Sequence, residues 1–385
     1  MQTTHNAMLM DDESLVIESP TLSAIDQALA QRECEQIPRG HLGMSEIGEP
    51  DDRKLWLKFR WSLPDTPSPR ILRVFQLGNL IEQELAALLR MIPGLTLHTI
   101  NPKTGKQFNF QYLGGHFAGS MDGCLIGLPE APKTWHVWES KSVGHKYFGD
   151  LVKKGVKAWN PKYYAQLQCY MGATNLDRAL FMAYQKDNSS LYVERVKKEP
   201  MFWEGMMAKA ERIITRYLAP ESSYRDRTWY ESKFMSEDAQ AVYWGDRLPR
   251  PNCRNCRFSE AVMDDDSSRW HCHQFETDLS LEEQKEGCTV GHQFLPCFFS
   301  SFAGSVESNQ PVAVYRMHEG GQHFANGNVE NFDNGTDCVC YSSHELHAME
   351  NPKSMITDNF ISNMKVFIPG TTIVKTTHAQ SLRGG

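Results

Sequence analysis

No apolar run in this sequence is long enough to cross a bilayer. Residues 1–18 carry Asp11, Asp12 and Glu13 where a secretory leader would need a basic stretch and an apolar core. The expectation is a soluble protein of the cytoplasm, with no membrane partner. Positive charge is not in excess: 40 Lys and Arg stand against 47 Asp and Glu, a formal net charge of -7. That balance argues against a protein that coats nucleic acid indiscriminately, but it leaves room for a local basic groove. No internal repeat is evident. Cysteine is modest, at ten residues, and a reducing compartment speaks against a disulfide framework. Five of the ten fall between Cys253 and Cys297, which points to metal instead. With 385 residues, 41% of them hydrophobic, the chain can bury a large core and is expected to hold two or three domains.

The polar signals that remain concentrate between residues 119 and 170. Segment 135–141 reads as a strand, and because strand side chains alternate, Glu139 and Lys141 point the same way while Ser140 points to the other face. Asp122 lies in a glycine-flanked, aromatic-containing run, 113–126, that also reads as strand, so the two can lie side by side. Two carboxylates and a lysine at adjacent strands suit metal-assisted phosphodiester hydrolysis. Asp122 and Glu139 offer hard oxygens to Mg²⁺ or Mn²⁺, and Lys141 can orient a water or offset developing charge. The competing reading is a surface hairpin with solvated side chains. Downstream, 161–172 reads as a helix opening on proline, with Gln166 and Tyr170 one turn apart on one face.

In this order the elements resemble the PD-(D/E)XK nuclease superfamily, in its RecB-like and phage lambda exonuclease-like (YqaJ-type) branch. There a helical Glu precedes Asp…Glu-x-Lys, and a Gln-x-x-x-Tyr helix follows. The resemblance covers about residues 40–200. It implies that Glu82, four residues after the helical Gly78, is the third acidic residue and metal ligand beside Asp122 and Glu139. It also implies catalytic roles for Lys141, Gln166 and Tyr170, with Tyr170 stacking on or donating to DNA. The implied fold is α/β, a restriction-endonuclease-like core with a mixed central sheet flanked by helices. The implied activity is a Mg²⁺-dependent deoxyribonuclease, an exonuclease of phage type acting in DNA recombination or processing in a bacterial or phage-infected cell. A single-strand annealing or recombination protein and a homo-oligomer are the partners it suggests. Two rivals share the fold: a catalytically silent DNA-binding or scaffold module, and a CRISPR-adaptation or restriction-type endonuclease. Some relatives place an iron-sulfur cysteine just before the arginine of 41–61; Asp52 stands there, before Arg53, which argues against that cluster although Cys34 lies upstream.

Cations gather directly after the candidate ligands. Lys146, Lys153, Lys154, Lys157 and Lys162 face Asp150 alone in that stretch, where a phosphate backbone would need to lie; a solvated helix face is the alternative. Arg53, Lys54, Lys58 and Arg60 read either as further phosphate contacts or as a surface helix that buries Trp56 and Phe59. A stripe of Leu22, Ile25 and Leu29 predicts a packed first helix, and 71–92 a long one. Strands are expected at 95–100, 108–113, 116–126, 178–184 and 190–196, and a helix at 201–218.

The late cysteines form a second pattern. Cys253 and Cys256 make a Cys-x-x-Cys knuckle, and Cys272 and Cys288 can close a tetrahedral zinc site, with His292 as alternative and Cys297 as a weaker candidate. A closed site of this kind is structural. Cys338, Cys340, His344 and His347 could hold a second metal, but alternation in a half-buried strand explains them more simply. The expected organisation is a loose arm at 1–20, the nuclease core at 21–220, a zinc-binding lobe at 221–300 and a small β-containing appendage at 301–385, with strands near 312–317 and 364–368.

Overall fold

A computed structural model describes residues 19–64, 66–226, 235–289, 291–295, 301–306, 312–316, 323–326 and 340–348. Residues 1–18 of the arm expected at 1–20, Cys297, Cys338 and the strand expected near 364–368 lie outside the described residues. Helix α1 (Pro20–Cys34) and the short strand β1 (Leu42–Gly43) lead to α2 (Asp52–Phe59) and the long α3 (Pro69–Arg90). Then come β2 (Thr96–His98), β3 (Phe108–Tyr112), β4 (Phe117–Met121), β5 (Gly123–Ile126), β6 (His136–Val143), α4 (His145–Trp159), α5 (Pro161–Thr174), β7 (Arg178–Gln185), β8 (Leu191–Lys197) and α6 (Pro200–Thr215). The later elements are α7 (Glu237–Trp244), β9 (Ser259–Ala261), β10 (Trp270–Cys272), β11 (Thr277–Leu279), α8 (Leu281–Glu286), β12 (Ser301–Val306), β13 (Val312–Arg316), β14 (His323–Asn326), β15 (Cys340–Tyr341) and α9 (Ser343–Ala348). The fold is mixed α/β, with several sheets and flanking helices.

The described residues divide into two compact units. One takes those before 52, Thr66–Ile214 and Met263–Ser267; the other takes Asp52–Asp65, Thr215–Val262 and those from 268 onward. In the first, a five-stranded sheet runs β2-β5-β6-β7-β8. All its neighbours are antiparallel except β6 and β7, which are parallel and joined by a crossover that contains α4 and α5. β7 is buried nearly throughout, and its continuous apolar run (Ala179, Leu180, Phe181, Met182, Ala183) is what a strand covered on both faces requires. On one face, Trp138, Leu180 and Met182 pack with Ile81, Leu85, Ala86 and Leu89 of α3. On the other, Phe181 meets Tyr163 of α5, ring centroids 6.4 Å apart. A second sheet, β1-β4-β3, pairs β1 parallel to β4 and β3 antiparallel to it.

Three local readings change here. The single strand expected at 116–126 is two strands in two sheets, broken at Asp122, where the chain leaves one sheet for the other. Gly123 follows the break, and a Cβ there would meet the His98 carbonyl at 2.6 Å, so the turn admits no side chain. Second, the lysine-rich stretch 145–159, assigned no element above beyond the alternative of a solvated helix face, is a helix that buries Phe148, Leu151, Val156 and Trp159 and is interrupted by Gly155 at φ 71°. The Glu194 carboxylate accepts the Val156 N–H (2.8 Å) just past that kink, capping the final turn. Third, α1 buries no residue: Ile25 is exposed and Leu22 and Leu29 are half-buried.

In the second unit, α2 buries Leu55, Trp56, Leu57 and Phe59. Trp56 Nε1 donates to the Arg216 carbonyl (2.8 Å), and Phe59 packs on Trp270, centroids 5.5 Å apart. Sheet β11-β10-β9 is antiparallel, and β12-β13-β14-β15 forms a four-stranded sheet. Asn326 of β14 is buried and accepts the Phe294 N–H (2.9 Å), with Phe294 itself bridged to Cys256. The late strands thus share a compact unit with the cysteine lobe.

Candidate active site

Asp122, at the break between β4 and β5, is fixed by β6: its Oδ2 accepts the Ser140 N–H at 2.9 Å and the Ser140 hydroxyl at 3.1 Å. Ser140, on the face opposite Glu139, therefore holds the aspartate in place. Glu139 is 1% exposed and register-paired with Phe181 of β7. Its Oε1 forms an ion pair with Lys141, two residues on along the same face. The Lys141 ammonium also lies 5.1 Å above the ring of Tyr163. Glu82 approaches from α3, close enough for Asp122 and Lys141 to act on its charge. Helix α5 starts on Pro161 with the Asn160 side chain accepting the Lys162 and Tyr163 N–H groups, and its Gln166 donates from Nε2 to the Tyr170 hydroxyl (3.2 Å).

Electrostatically the cluster is loaded. Burial pushes the Glu139 carboxyl up to about 8; the Asp122 charge adds to the rise and Lys141 opposes it. Glu82 is pushed up to about 7, by burial first and then by Asp122, against Lys141. Burial would lower the Lys141 amine, but Glu139 and Asp122 outweigh it and hold it above the ordinary lysine value. Three acids crowded around one cation hold on to a proton at neutral pH unless further positive charge arrives.

Two oxygens show where such charge would go. Glu139 Oε2 and Gln166 Oε1 are buried without a hydrogen-bond partner. An orphaned buried acceptor costs about 1–3 kcal/mol, which a cation or its water would relieve. The carboxylate oxygens are the donor type that Mg²⁺ or Mn²⁺ prefers. As the side chains stand, with Glu139 turned to Lys141, no three His, Cys, Asp or Glu among the described residues are close enough together to hold a metal ion.

No family model matches this chain, and no curated protein does. Among solved structures it is similar to the alkaline exonuclease LHK-Exo of Laribacter hongkongensis, at 15% identity over 50% of this chain and 90% of that one, TM-score 0.32. The complex of LHK-Exo with dAMP gives 15% identity over 49% and 89%, TM-score 0.33. SSO0001 gives 12% over 58% and 99%, TM-score 0.32. At TM-scores this low, the overlap decides neither family nor reaction, and the residues of this chain have to carry the case.

Other residues singled out from sequence land in different surroundings. Tyr170 is 2% exposed, and its hydroxyl donates to the Ser120 carbonyl (2.6 Å), so it braces the strand before Asp122 and cannot stack on DNA. Of the lysines, Lys146 and Lys153 are exposed, whereas Lys154 pairs with Asp150 (3.1 Å), Lys157 with Glu199, and Lys162 with Glu49 (3.2 Å). Arg53 donates to the Tyr243 carbonyl (3.1 Å) and the Pro220 carbonyl (3.2 Å) and lies over the Tyr243 ring, a packing role. Arg60, just past α2, is buried, so this segment takes the packing alternative. Tyr163 is the site residue that sequence inspection passed over. It lies three residues before Gln166 and seven before Tyr170, the spacing of one helical stripe.

In the lobe, the chain brings the four cysteines near enough to act on one another's charge, though no three of them sit within metal-holding reach. Cys253 opens the 3-10 turn Cys253–Asn255, and Cys256 closes it. Ser259, three residues on, is register-paired with Cys272. The Cys253 thiol donates to the Glu283 carbonyl (3.4 Å) in α8, and Cys288 follows that helix, its sulfur accepting the Gly291 N–H (3.1 Å). Burial pushes the Cys253 thiol up to about 12, and Cys256, Cys272 and Cys288 each add to the rise. Buried His292 contacts the Asn252 carbonyl (3.0 Å) and Asn255 Oδ1 (2.9 Å) through Nε2, and burial lowers it to about 3. His347 contacts the Leu248 carbonyl (3.0 Å) through Nδ1.

Proposed function

We propose that this protein is a metal-dependent DNA nuclease with a restriction-endonuclease-like core, an exonuclease of the phage type that processes DNA ends in recombination. One observation carries the reading: Glu82, Asp122, Glu139 and Lys141 converge at the break between two sheets, with an orphaned carboxylate oxygen among them. Asp122, Glu139 and Glu82 would hold Mg²⁺ or Mn²⁺. When bound, the cation polarises the scissile phosphate and acidifies a water.

The chain's own residues do the rest. Ser140 fixes the Asp122 carboxylate, so its free oxygen is aimed before substrate arrives. Lys141 keeps its charge beside Glu139 and can neutralise the developing oxyanion. Gln166, its amide nitrogen engaged by Tyr170, presents Oε1 to orient a water. Exposed Lys146 and Lys153 offer contacts for the phosphate backbone. In the second unit, Cys253, Cys256, Cys272 and Cys288 would hold one structural Zn²⁺. Their supports are the soft donor set, the knuckle spacing and the N–H donated to the Cys288 sulfur.

The test compares linear and nicked circular duplexes with Mg²⁺, with and without chelator. Chelator-sensitive loss of the linear duplex alone is the expected result. Equal cutting of both forms would favour the endonuclease reading, and no cutting in Mg²⁺ or Mn²⁺ would sink the enzyme.

A further inference from the structure

Lys141 has an uncommon setting for a lysine beside three acids. Its register partner on β7 is Ala183, which is too small to support the ammonium. Glu139 takes one side of that group. The face of the Tyr163 ring takes another, 5.1 Å from Nζ. The ring is itself held tightly. Its backbone N–H is capped by the Asn160 side chain (3.3 Å), and the ring packs between Trp159 (5.8 Å) and Phe181 (6.4 Å). Phe181 is the register partner of Glu139, so one aromatic wall backs both members of the ion pair.

We infer that Tyr163 is a positioning residue for the nuclease reaction: the face of its ring gives the Lys141 ammonium, which also pairs with Glu139, a second hold that keeps it in line with the reacting phosphate. The inference rests on the nuclease reading above and extends the site by one helical turn, to a Tyr163, Gln166, Tyr170 stripe. Two forces compete for the amine. The ion pair with Glu139 occupies one oxygen of the carboxylate that a cation needs and leaves only Oε2 without a partner. A ring face attracts the ammonium without using an acceptor oxygen, and a desolvated contact of this kind is strong enough to bias where the amine rests.

The test uses the full chain. Tyr163→Leu should melt as a folded protein and lose about tenfold in kcat on a linear duplex, a size set by the cation–π contact. KM and Mn²⁺ affinity should hold, because neither phosphate contacts nor carboxylates change. Tyr163→Phe keeps the ring face and should keep most of kcat. In a Lys141→Ala background, Tyr163→Leu should cost nothing more. Three outcomes overturn the inference: a Tyr163→Leu kcat within twofold of the parent, a loss carried by KM, or the same tenfold loss without Lys141. A second arm stands apart from catalysis, so that it separates this idea from the nuclease reading. Acylation of Lys141 by an amine-reactive ester, read by peptide mass spectrometry, should rise several-fold in Tyr163→Leu and not in Tyr163→Phe. If the parent protein cuts no DNA, the nuclease reading falls; unchanged labelling would then dispose of the contact as well.

Discussion

The carboxylate site and the cysteine lobe solve the burial of reactive groups in opposite ways. At the first, ionisable oxygens are crowded against a lysine on rigid strands, and the conflict is left standing: two carboxyls are raised and one oxygen has no partner. In the lobe, the Cys253 and Cys256 thiols are buried, and burial raises both, leaving them neutral unless a metal takes the protons' place. Unrelieved charge suits a group that must respond to substrate. Quiet burial suits a staple. The comparison predicts that damage to the first region costs chemistry and damage to the second costs stability.

Breaking that contrast takes two variants. Glu139→Ala should lose DNA cleavage by about a thousandfold or more while staying folded, its melt lowered only by the Lys141 charge left without its partner. Cleavage kinetics beside a calorimetric melt check both halves; near-normal cutting by the folded variant ends the active-site assignment. Cys253→Ser should do the reverse, with zinc content falling from about one per chain and stability dropping by several kcal/mol. Folded fractions of that variant should still cut. Metal analysis of the parent decides the premise, and an iron-sulfur absorbance would replace it.

How far the sequence could be read follows from the range of each force. Glu139 and Lys141 share a face because strands alternate, and Gln166 and Tyr170 because helices repeat; both are local rules. The helix at 69–90 and the strands of the five-stranded sheet show for the same reason. What sequence hides is tertiary. Lys162 and Lys157 look like free cations in a basic run, but Glu49 and Glu199, far away in the chain, neutralise them. Tyr170 looks like a DNA contact until the Ser120 carbonyl claims its hydroxyl. Residues 52–65 read as the lead-in to the core, yet they pack with segments beyond 214, a join across the chain that no periodicity announces.

A pH series sharpens the contrast further. Glu139 at about 8 and Glu82 at about 7 lie above the ordinary carboxyl value of 4.5. The folded protein therefore holds protons that the unfolded chain has released, and without metal its stability should fall as pH rises from about 5 to about 8. Lys141, raised as well, contributes nothing to that window because its change lies at the alkaline end. Melting temperature against pH should slope downward in the parent and flatten in Glu139→Gln. Added Mn²⁺ should release protons and raise the alkaline side most, which calorimetry in buffers of different ionisation enthalpy would register. A parent that gains stability over this range without metal would contradict the crowded-carboxylate picture.

The smallest effects should come from the lysines, where the same distinction between relieved and unrelieved charge applies. Lys146 and Lys153 are exposed, whereas Lys154 and Lys157 already have Asp150 and Glu199. A lysine that meets phosphate releases a counterion, so its loss should lower the slope of log affinity against log salt by about 0.9 for duplex DNA. Lys146→Ala and Lys153→Ala should each approach that change. Lys154→Ala and Lys157→Ala should fall well short of it, because each side chain must first leave a carboxylate, and removing it also frees a negative charge beside the DNA path. Since none of the four touches the carboxylate cluster, kcat at saturating DNA should hold in all of them. Slopes in all four variants equal to the parent's would mean that DNA does not run along this helix.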